Sequence, residues 1–363
     1  MKNIRFVLVL ILMVMVAAFS FAGGQDEMEE ADDEEMAPAE VEEGMVDTSQ
    51  YAVDGPAVIG VSYEGPINDY AKSLLYHIQY QLERNYADRV EDVIYSAADG
   101  DANRQINQVE NMLARGIDLL LYQPISESAG VGVVEQAMDM GVPVVIFGAS
   151  LLTDQYVSYV NINNTAIGHA YTDWLAEQID GEGKVVVMMG EAGSGYTEDT
   201  YTGIQEALAD WPNIETLPTV YADYSQAKAK QQMETFLNAH DDIVGAIVQG
   251  GHMGLGILEA SIDAGVEPPY MTVDDINLFH KAATEMGFEK YITYGAGAEV
   301  SYDACEIAMQ VLAGEPVQKN VILPVELFTA EEMRERIPEG MPDGFWSLTK
   351  IPKEFVKDYY GGE

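Results

Sequence analysis

Short apolar runs and amphipathic helical stretches alternate along the chain from Ala57 onward, and the alternation runs through twice. The first series has apolar runs at 58–62, 93–95, 119–122 and 144–147, with helical patterns at 70–85, 103–115 and 129–140 between them. The second has runs at 157–161, 184–189, 214–219, 245–248, 270–273 and 292–294. Its helical patterns lie at 165–179, 197–210, 225–239, 254–264 and 278–286. Strand–helix repetition of this kind builds a parallel sheet covered by helices on both faces. Gly116 and Gly141 stand where helices should stop, and Pro143 suits the start of a strand. Two such series predict an α/β protein of two doubly wound parallel-sheet lobes. A further helix at 300–313 and strand at 321–325 follow the second series and can return to the first lobe, giving a hinge of several strands.

The residues ahead of this body set its expected compartment. Lys2 and Arg5 precede an apolar run from Phe6 to Phe19, and Ser20-Phe21-Ala22 places small residues where a signal peptidase reads. The run is short for a membrane span. An export signal cleaved after Ala22 is expected, with Gly23 as the mature start and a periplasmic destination. The stretch from Gln25 to Asp47 carries twelve carboxylates and no basic residue. It holds too little apolar surface to offset the cost of ordering, which predicts a flexible tether. The expected division is 1–22 signal and 23–54 acidic tether. Residues 55–161 with 295–322 form one lobe, and 162–294 with 323–363 form the other together with a C-terminal extension.

The formal net charge is −43. Phosphate backbones need clustered Lys and Arg, so nucleic acid is excluded as a partner. The charge gives solubility, and attraction of a cationic ligand or partner is the alternative reading. Cys305 is the one cysteine, so no intramolecular disulfide forms, and its apolar helical setting predicts a buried small hydrophobe.

Ligands of open parallel sheets bind beyond the carboxyl ends of the strands. Two facing sheets therefore place their strand-end loops around one cleft. The glycine-rich turn in MMGEAGSGYTEDTYTGIQEAL, Met188 to Leu208, is one such loop. It lacks the Lys-Ser/Thr of a phosphate loop and the glycine spacing of a dinucleotide site. Ser194 lacks the flanking glycines of a nucleophile elbow. The histidines have no metal-binding spacing, and Asp274-Asp275 with His280 reads as a capping or hydroxyl-accepting group rather than a metal site. No cofactor fingerprint, metal set or nucleophile–base pair is present, so a non-enzymatic binding protein without cofactor is expected. Polar and aromatic side chains do collect at the strand ends. The candidate ligand residues are Tyr63, Asn68, Tyr70, Ser150, Glu198, Tyr224, Gln249, His252, Asp274 and Tyr294, with Tyr196 beside them. Aromatic faces against C–H surfaces, with carboxylates and amides for hydroxyls, suit a small polyhydroxy ligand.

Several stretches carry a family resemblance. They are IGVS ahead of a helix, ADGDANRQINQVENMLARGIDLLL, QPISESAGVGVVEQAMDMGVPVVIF, VNINNTAIGHAYTDWL and HDDIVGAIVQGGHMGLGILEASIDAG. With these, residues 58–325 resemble the type I periplasmic solute-binding proteins of bacterial ABC importers, in the ribose-binding branch. The resemblance implies two lobes that close on a ligand, a monomer, and delivery to an inner-membrane permease. It implies hinges near 161–163, 294–296 and 323–324. It matches Asp274 to the family's strand-end acid, Tyr224 and Tyr70 to aromatic walls, and Asn68 to an amide-bearing loop. This chain departs from the sugar binders at Gly148-Ala149, Glu198, Gly250-Gly251 and Gly295, where they carry an Asp-Arg pair, an arginine, Asn-Asp and Gln. Those glycines are expected to enlarge the cleft or to admit backbone contacts. The segment GFWSLTKIPKEFVKDYY resembles the closing segment of rhamnose- and autoinducer-2-binding relatives. A sensory binding protein reporting to a receptor would use the same cleft. A transcription regulator of this fold would need a DNA-binding amino terminus, and here an export signal stands there instead.

Overall fold

The structure is a computed structural model that describes residues 44–295 and 297–361. The expected signal, its cleavage site, most of the acidic tether and Ala296 of the second hinge lie outside the described residues.

The chain opens with β1 (Met45–Val46) and then builds β2 (Ala57–Tyr63), α1 (Asp69–Tyr80), β3 (Val90–Ala97), α2 (Ala102–Ala114), β4 (Leu119–Tyr122), α3 (Val131–Asp139), β5 (Val144–Phe147) and β6 (Ser158–Ile162). It continues through α4 (Asn164–Gln178), β7 (Glu182–Met189), α5 (Gly195–Leu208), β8 (Asn213–Thr216), β9 (Val220–Tyr221), α6 (Gln226–Ala239), β10 (Ile243–Val248), α7 (Gly251–Ala264), β11 (Tyr270–Asp274), α8 (Asn277–Met286) and β12 (Tyr291–Tyr294). It closes with α9 (Glu299–Leu312), β13 (Val317–Gln318), β14 (Asn320–Leu323), β15 (Leu327–Thr329), α10 (Ala330–Arg336) and α11 (Lys353–Tyr360). One sheet has the order β14-β6-β5-β4-β2-β3 and is parallel throughout. The other has the order β15-β12-β11-β10-β7-β8, with β9 also on β7, and only β15 runs antiparallel. Each sheet reverses its strand order, as a doubly wound sheet does.

Period-two alternation sends the strand side chains to two different cores. Leu119 and Leu121 of β4 face a core shared with α1 and α9, while Leu120 and Tyr122 face the core under α2 and α3. In the second lobe Val186 and Met188 of β7 meet α6, α7 and α8, while Val185, Val187 and Met189 meet α4 and α5. Strands buried on both faces read as continuous apolar runs, which is why 119–122 and 144–147 are sharp in the sequence. Burial of each Leu, Val or Ile adds roughly 1.5–3 kcal/mol. Cys305 is fully buried in the first core, and burial raises its thiol pKa well above the usual range.

Side-chain caps fix where the helices start. Asn68, Asp101, Asn163, Ser194 and Ser225 each accept from a backbone N–H in the first turn of the helix that follows. The helices α4 and α5 cross at a glycine contact. A methyl on Gly168 would overlap the Thr200 carbonyl, and one on Gly203 would overlap the Thr165 carbonyl. The expected strand at 214–219 is split into β8 and β9, because Pro218 has no N–H to offer the ladder.

The chain crosses between the sheets after β6, after β12 and between β14 and β15. It then crosses once more. Residues 341–348 lie on the second lobe, where the Asn277 N–H donates to the Phe345 carbonyl at 2.9 Å. Past them, α11 packs on the first lobe against Tyr76 and Tyr80 of α1. The extension was assigned to the second lobe from the sequence, but its last helix docks on the first. Phe355, Val356 and Tyr360 are a short apolar stripe whose partner lies far away in sequence.

Candidate functional site

The carboxyl ends of β2, β7, β10, β11 and β12 converge on the space between the sheets. At its centre is Asp274, the last residue of β11 and buried. Its carboxylate accepts from the Tyr171 hydroxyl at 2.8 Å and the Tyr196 hydroxyl at 2.9 Å. Burial pushes its pKa up to about 6, against the pull of the two phenols. Tyr294, at the end of β12, is also buried, and its hydroxyl has no hydrogen-bond partner among the described residues. Asp274 and Tyr70 are close enough to raise the pKa of that hydroxyl further, beyond the effect of burial. An orphan hydroxyl costs about 1–3 kcal/mol unless a water or ligand group satisfies it.

Tyr224 forms a wall of the second lobe. It and Asp223 both have left-handed backbone, at φ 53° and 50°. Such strain in non-glycine residues costs of order 1–3 kcal/mol each and clusters at functional sites. The strain is held because the Tyr224 ring lies over two glycines. A methyl on Gly190 would overlap the ring, and one on Gly250 would come within 3.1 Å of it. Gly295 is equally confined, with Leu348 and Phe328 both 2.6 Å from where a Cβ would sit. The glycines at 250 and 295 were expected to enlarge the cleft or to admit backbone contacts. In the structure they make room for Tyr224 and for the C-terminal extension.

On the first lobe, Asn68 caps α1 by accepting from the Ala71 N–H at 2.8 Å. Tyr70 follows, its hydroxyl donating to the Gly297 carbonyl at 3.4 Å beside the second crossing. Glu64 lies near Tyr70, and burial raises the pKa of its carboxyl. Across the cleft, His252 in the first turn of α7 is half-buried. Burial lowers its pKa while Asp69 of the first lobe opposes the shift. Tyr70, Tyr224, His252, Asp274 and Tyr294 are thus brought to one space, with Asn68 at its edge.

Four of the expected residues serve other roles. Tyr63 turns into the first-lobe core, because position 63 continues the inward phase of β2. Gln249 is buried, and its Oε1 accepts from the Gly190 N–H and the Thr197 hydroxyl at 3.0 Å each. Its Nε2 donates to the Tyr196 carbonyl, so it staples the loop after β7. Glu198 is exposed in the first turn of α5 and accepts from the Gly193 N–H at 2.9 Å. Ser150 donates to Glu127 on the surface of the first lobe. The residues of the candidate site that the sequence did not single out are Tyr171 and Glu64. Tyr171 sits mid-helix in α4, and nothing local distinguishes it from a core tyrosine. Asp275 bonds His280 at 3.0 Å and accepts from the Leu348 N–H at 2.8 Å, so of the Asp-Asp-His set Asp275, backed by His280, anchors the extension while Asp274 bonds the two phenols. Among the described residues no group of three His, Cys, Asp or Glu is placed to hold a metal, and no helix is long and apolar enough to cross a membrane.

A groove of about 870 Å³ lies at the opposite end of the second sheet, by Ile243, Asp263 and Tyr270. It faces the amino-terminal ends of the strands and lacks the convergent aromatic and acidic set of the cleft.

The fold has counterparts among known proteins. The periplasmic binding protein domain profile matches residues 59–316. A xylitol-binding protein of Mycolicibacterium smegmatis is 26% identical over 187 residues, covering 51% of this chain but only 54% of that protein. The ribose import binding protein of Bacillus subtilis is 27% identical over 251 residues, covering 68% of this chain and 80% of the relative. Among solved structures, an ABC transporter solute-binding protein from Bacillus halodurans with bound myo-inositol superposes with a TM-score of 0.66. It is 23% identical and covers 78% of this chain and 98% of its own, a likeness of fold. These relatives are binding proteins rather than enzymes. With two doubly wound sheets, strand ends facing one cleft and a profile match across most of the described body, the chain belongs to the periplasmic binding protein family.

Proposed function

We propose that this protein is the exported substrate-binding component of an ABC importer, and that it captures a sugar or polyol between its lobes and passes it unchanged to a membrane permease. The observation that carries the reading is the Asp274 set. A buried carboxylate is held by two phenols, next to the orphan hydroxyl of Tyr294 and the strained aromatic wall of Tyr224. Hydroxyl groups of a polyol supply both the donor that Asp274 can still accept and the partner that Tyr294 lacks. Tyr70, Tyr224 and Tyr294 offer ring faces to C–H surfaces. Asn68 and His252 border the opening. None of these side chains is Lys or Arg, and Glu64 and Asp274 disfavour an anion, so the ligand is neutral or cationic.

Two relatives, a xylitol-binding protein and a ribose import binding protein, support this ligand class and import over sensing. Titration calorimetry of the wild-type chain against myo-inositol, xylitol and D-ribose tests it. One ligand per chain is expected, recovered intact after denaturation, with loss of at least a hundredfold in affinity in Asp274→Ala. Heat from none of the three, or recovery of a chemically altered ligand, contradicts the proposal.

A further inference from the structure

The C-terminal extension is bonded to both lobes, and one of its residues packs against the cores of both. On the second lobe, the Asn277 side chain donates to the carbonyls of Met341 at 3.0 Å and Pro342 at 2.8 Å. Asp275 accepts from the Ser347 hydroxyl and the Leu348 N–H. The next residues belong to the first lobe. The Lys350 N–H donates to His77 Nε2 at 3.2 Å, and Thr349 Oγ1 lies 2.9 Å from the same nitrogen. His77 Nδ1 donates to the Ser73 carbonyl at 2.8 Å, which leaves Nε2 bare and able to accept. Lys350 Nζ pairs with Asp303 at 2.6 Å, and Arg84 pairs with Asp358 at 2.7 Å.

Trp346 lies within the second-lobe set, between Pro342 and Ser347. Phe345, Ser347 and Leu348 on either side are buried, whereas Trp346 is half-buried. It packs against the core of the first lobe and against the core of the second. Its ring stands edge-on to Tyr70, with centroids 5.5 Å apart and planes at 62°. Tyr70 is itself a cleft residue. The chain just before Trp346 passes close over the start of α1, since a Cβ on Gly344 would sit 2.8 Å from the Asp69 carboxyl group. Just after it, Leu348 fills the space that Gly295 leaves at the second crossing.

We infer that Trp346 is a ligand-contacting wall of the cleft, delivered by the extension, and that it packs its exposed ring surface on the C–H face of a bound polyol. The inference rests on the proposed reading of the cleft. It assigns to the extension a share of ligand affinity, and not only of stability. An aromatic ring held by a segment bonded to both lobes is oriented before the ligand arrives, so little side-chain entropy is lost on binding.

Tryptophan fluorescence gives a direct readout, because the chain has three tryptophans: Trp174, Trp211 and Trp346. Trp174 packs on Tyr270 at the start of β11, and Trp211 donates to Asp173 at 3.1 Å, both away from the cleft. The probe is whichever of myo-inositol, xylitol or D-ribose binds the wild-type chain by calorimetry. Saturation is expected to change the emission of the wild type and of the Trp174→Phe/Trp211→Phe double variant, and to leave Trp346→Phe unchanged. Trp346→Ala is expected to weaken binding at least tenfold, with Trp346→Phe between it and wild type. Thermal unfolding of Trp346→Phe checks that the chain is folded. A full emission change in Trp346→Phe, or wild-type affinity in Trp346→Ala, overturns the assignment of Trp346 while leaving the reading of the cleft intact. Absence of binding to the wild type overturns the reading of the cleft and this inference with it.

Discussion

Replacing Asp274 with asparagine should stabilise the ligand-free protein above neutral pH while damaging the site. Burial holds the carboxyl pKa near 6 in the folded chain, against a usual value of 3.8. Between those two values the folded state keeps a proton that the unfolded state has released. Stability therefore falls as pH rises through this window and stays low above it. The shift is about two pH units, so the ionised carboxylate costs the folded chain about 3 kcal/mol at pH 8. Asparagine has nearly the same shape, takes no charge and can bond both phenols. Urea unfolding of wild type and Asp274→Asn at pH 4 and pH 8, without ligand, isolates this group, because the other titrating residues cancel in the difference. The stability of the variant relative to wild type should grow by about 2.5 kcal/mol from pH 4 to pH 8, since the unfolded carboxyl is already more than half ionised at pH 4. A relative stability that stays constant across the range would refute the argument. In calorimetry at pH 8 the same variant should bind polyol at least about tenfold more weakly, having lost one carboxylate acceptor.

Three other perturbations have equally definite outcomes. Gly203→Ala should lower stability by about 1–3 kcal/mol through the clash with the Thr165 carbonyl, and the melting temperature reports it. His77 is neutral and buried, with its pKa held down at about 4 by burial, so docking of residues 349–360 should weaken as pH falls from 6.5 towards 4. Hydrogen exchange of α11 at pH 7 and pH 5 measures this, and His77→Gln should remove the pH dependence; equal protection at both values would contradict it. Cys305 should resist a thiol reagent in the folded chain and react at the rate of global unfolding, since its sulfur is enclosed in the first-lobe core.

The order of strands and helices was legible because doubly covered parallel strands leave unbroken apolar runs, as Leu119–Tyr122 and Val144–Phe147 do, and because Gly116 and Gly141 mark helix ends. In the candidate site, Asp274 and Tyr294 could be picked out because each ends a strand. The site was not legible where direction decides. Tyr63 and Gln249 also sit at strand ends, but Tyr63 faces the core and Gln249 is consumed by the neighbouring loop. Glu198 lies one turn along α5 and points back to the loop amide. The contribution of the extension was hidden for a different reason. Trp346 meets Tyr70, and Leu348 meets Asp275, across long stretches of intervening sequence, and no local period records such contacts. Glycines told only that space was needed, while Tyr224 and Leu348 show what fills it.

Ligand capture between two hinged lobes is the central claim, and small-angle scattering tests it most directly. The radius of gyration of the wild-type chain, measured with and without the polyol that binds it by calorimetry, should fall at saturation, and Asp274→Ala should show no change at the same polyol concentration. A wild-type chain that binds the polyol with unchanged dimensions would contradict closure around the ligand.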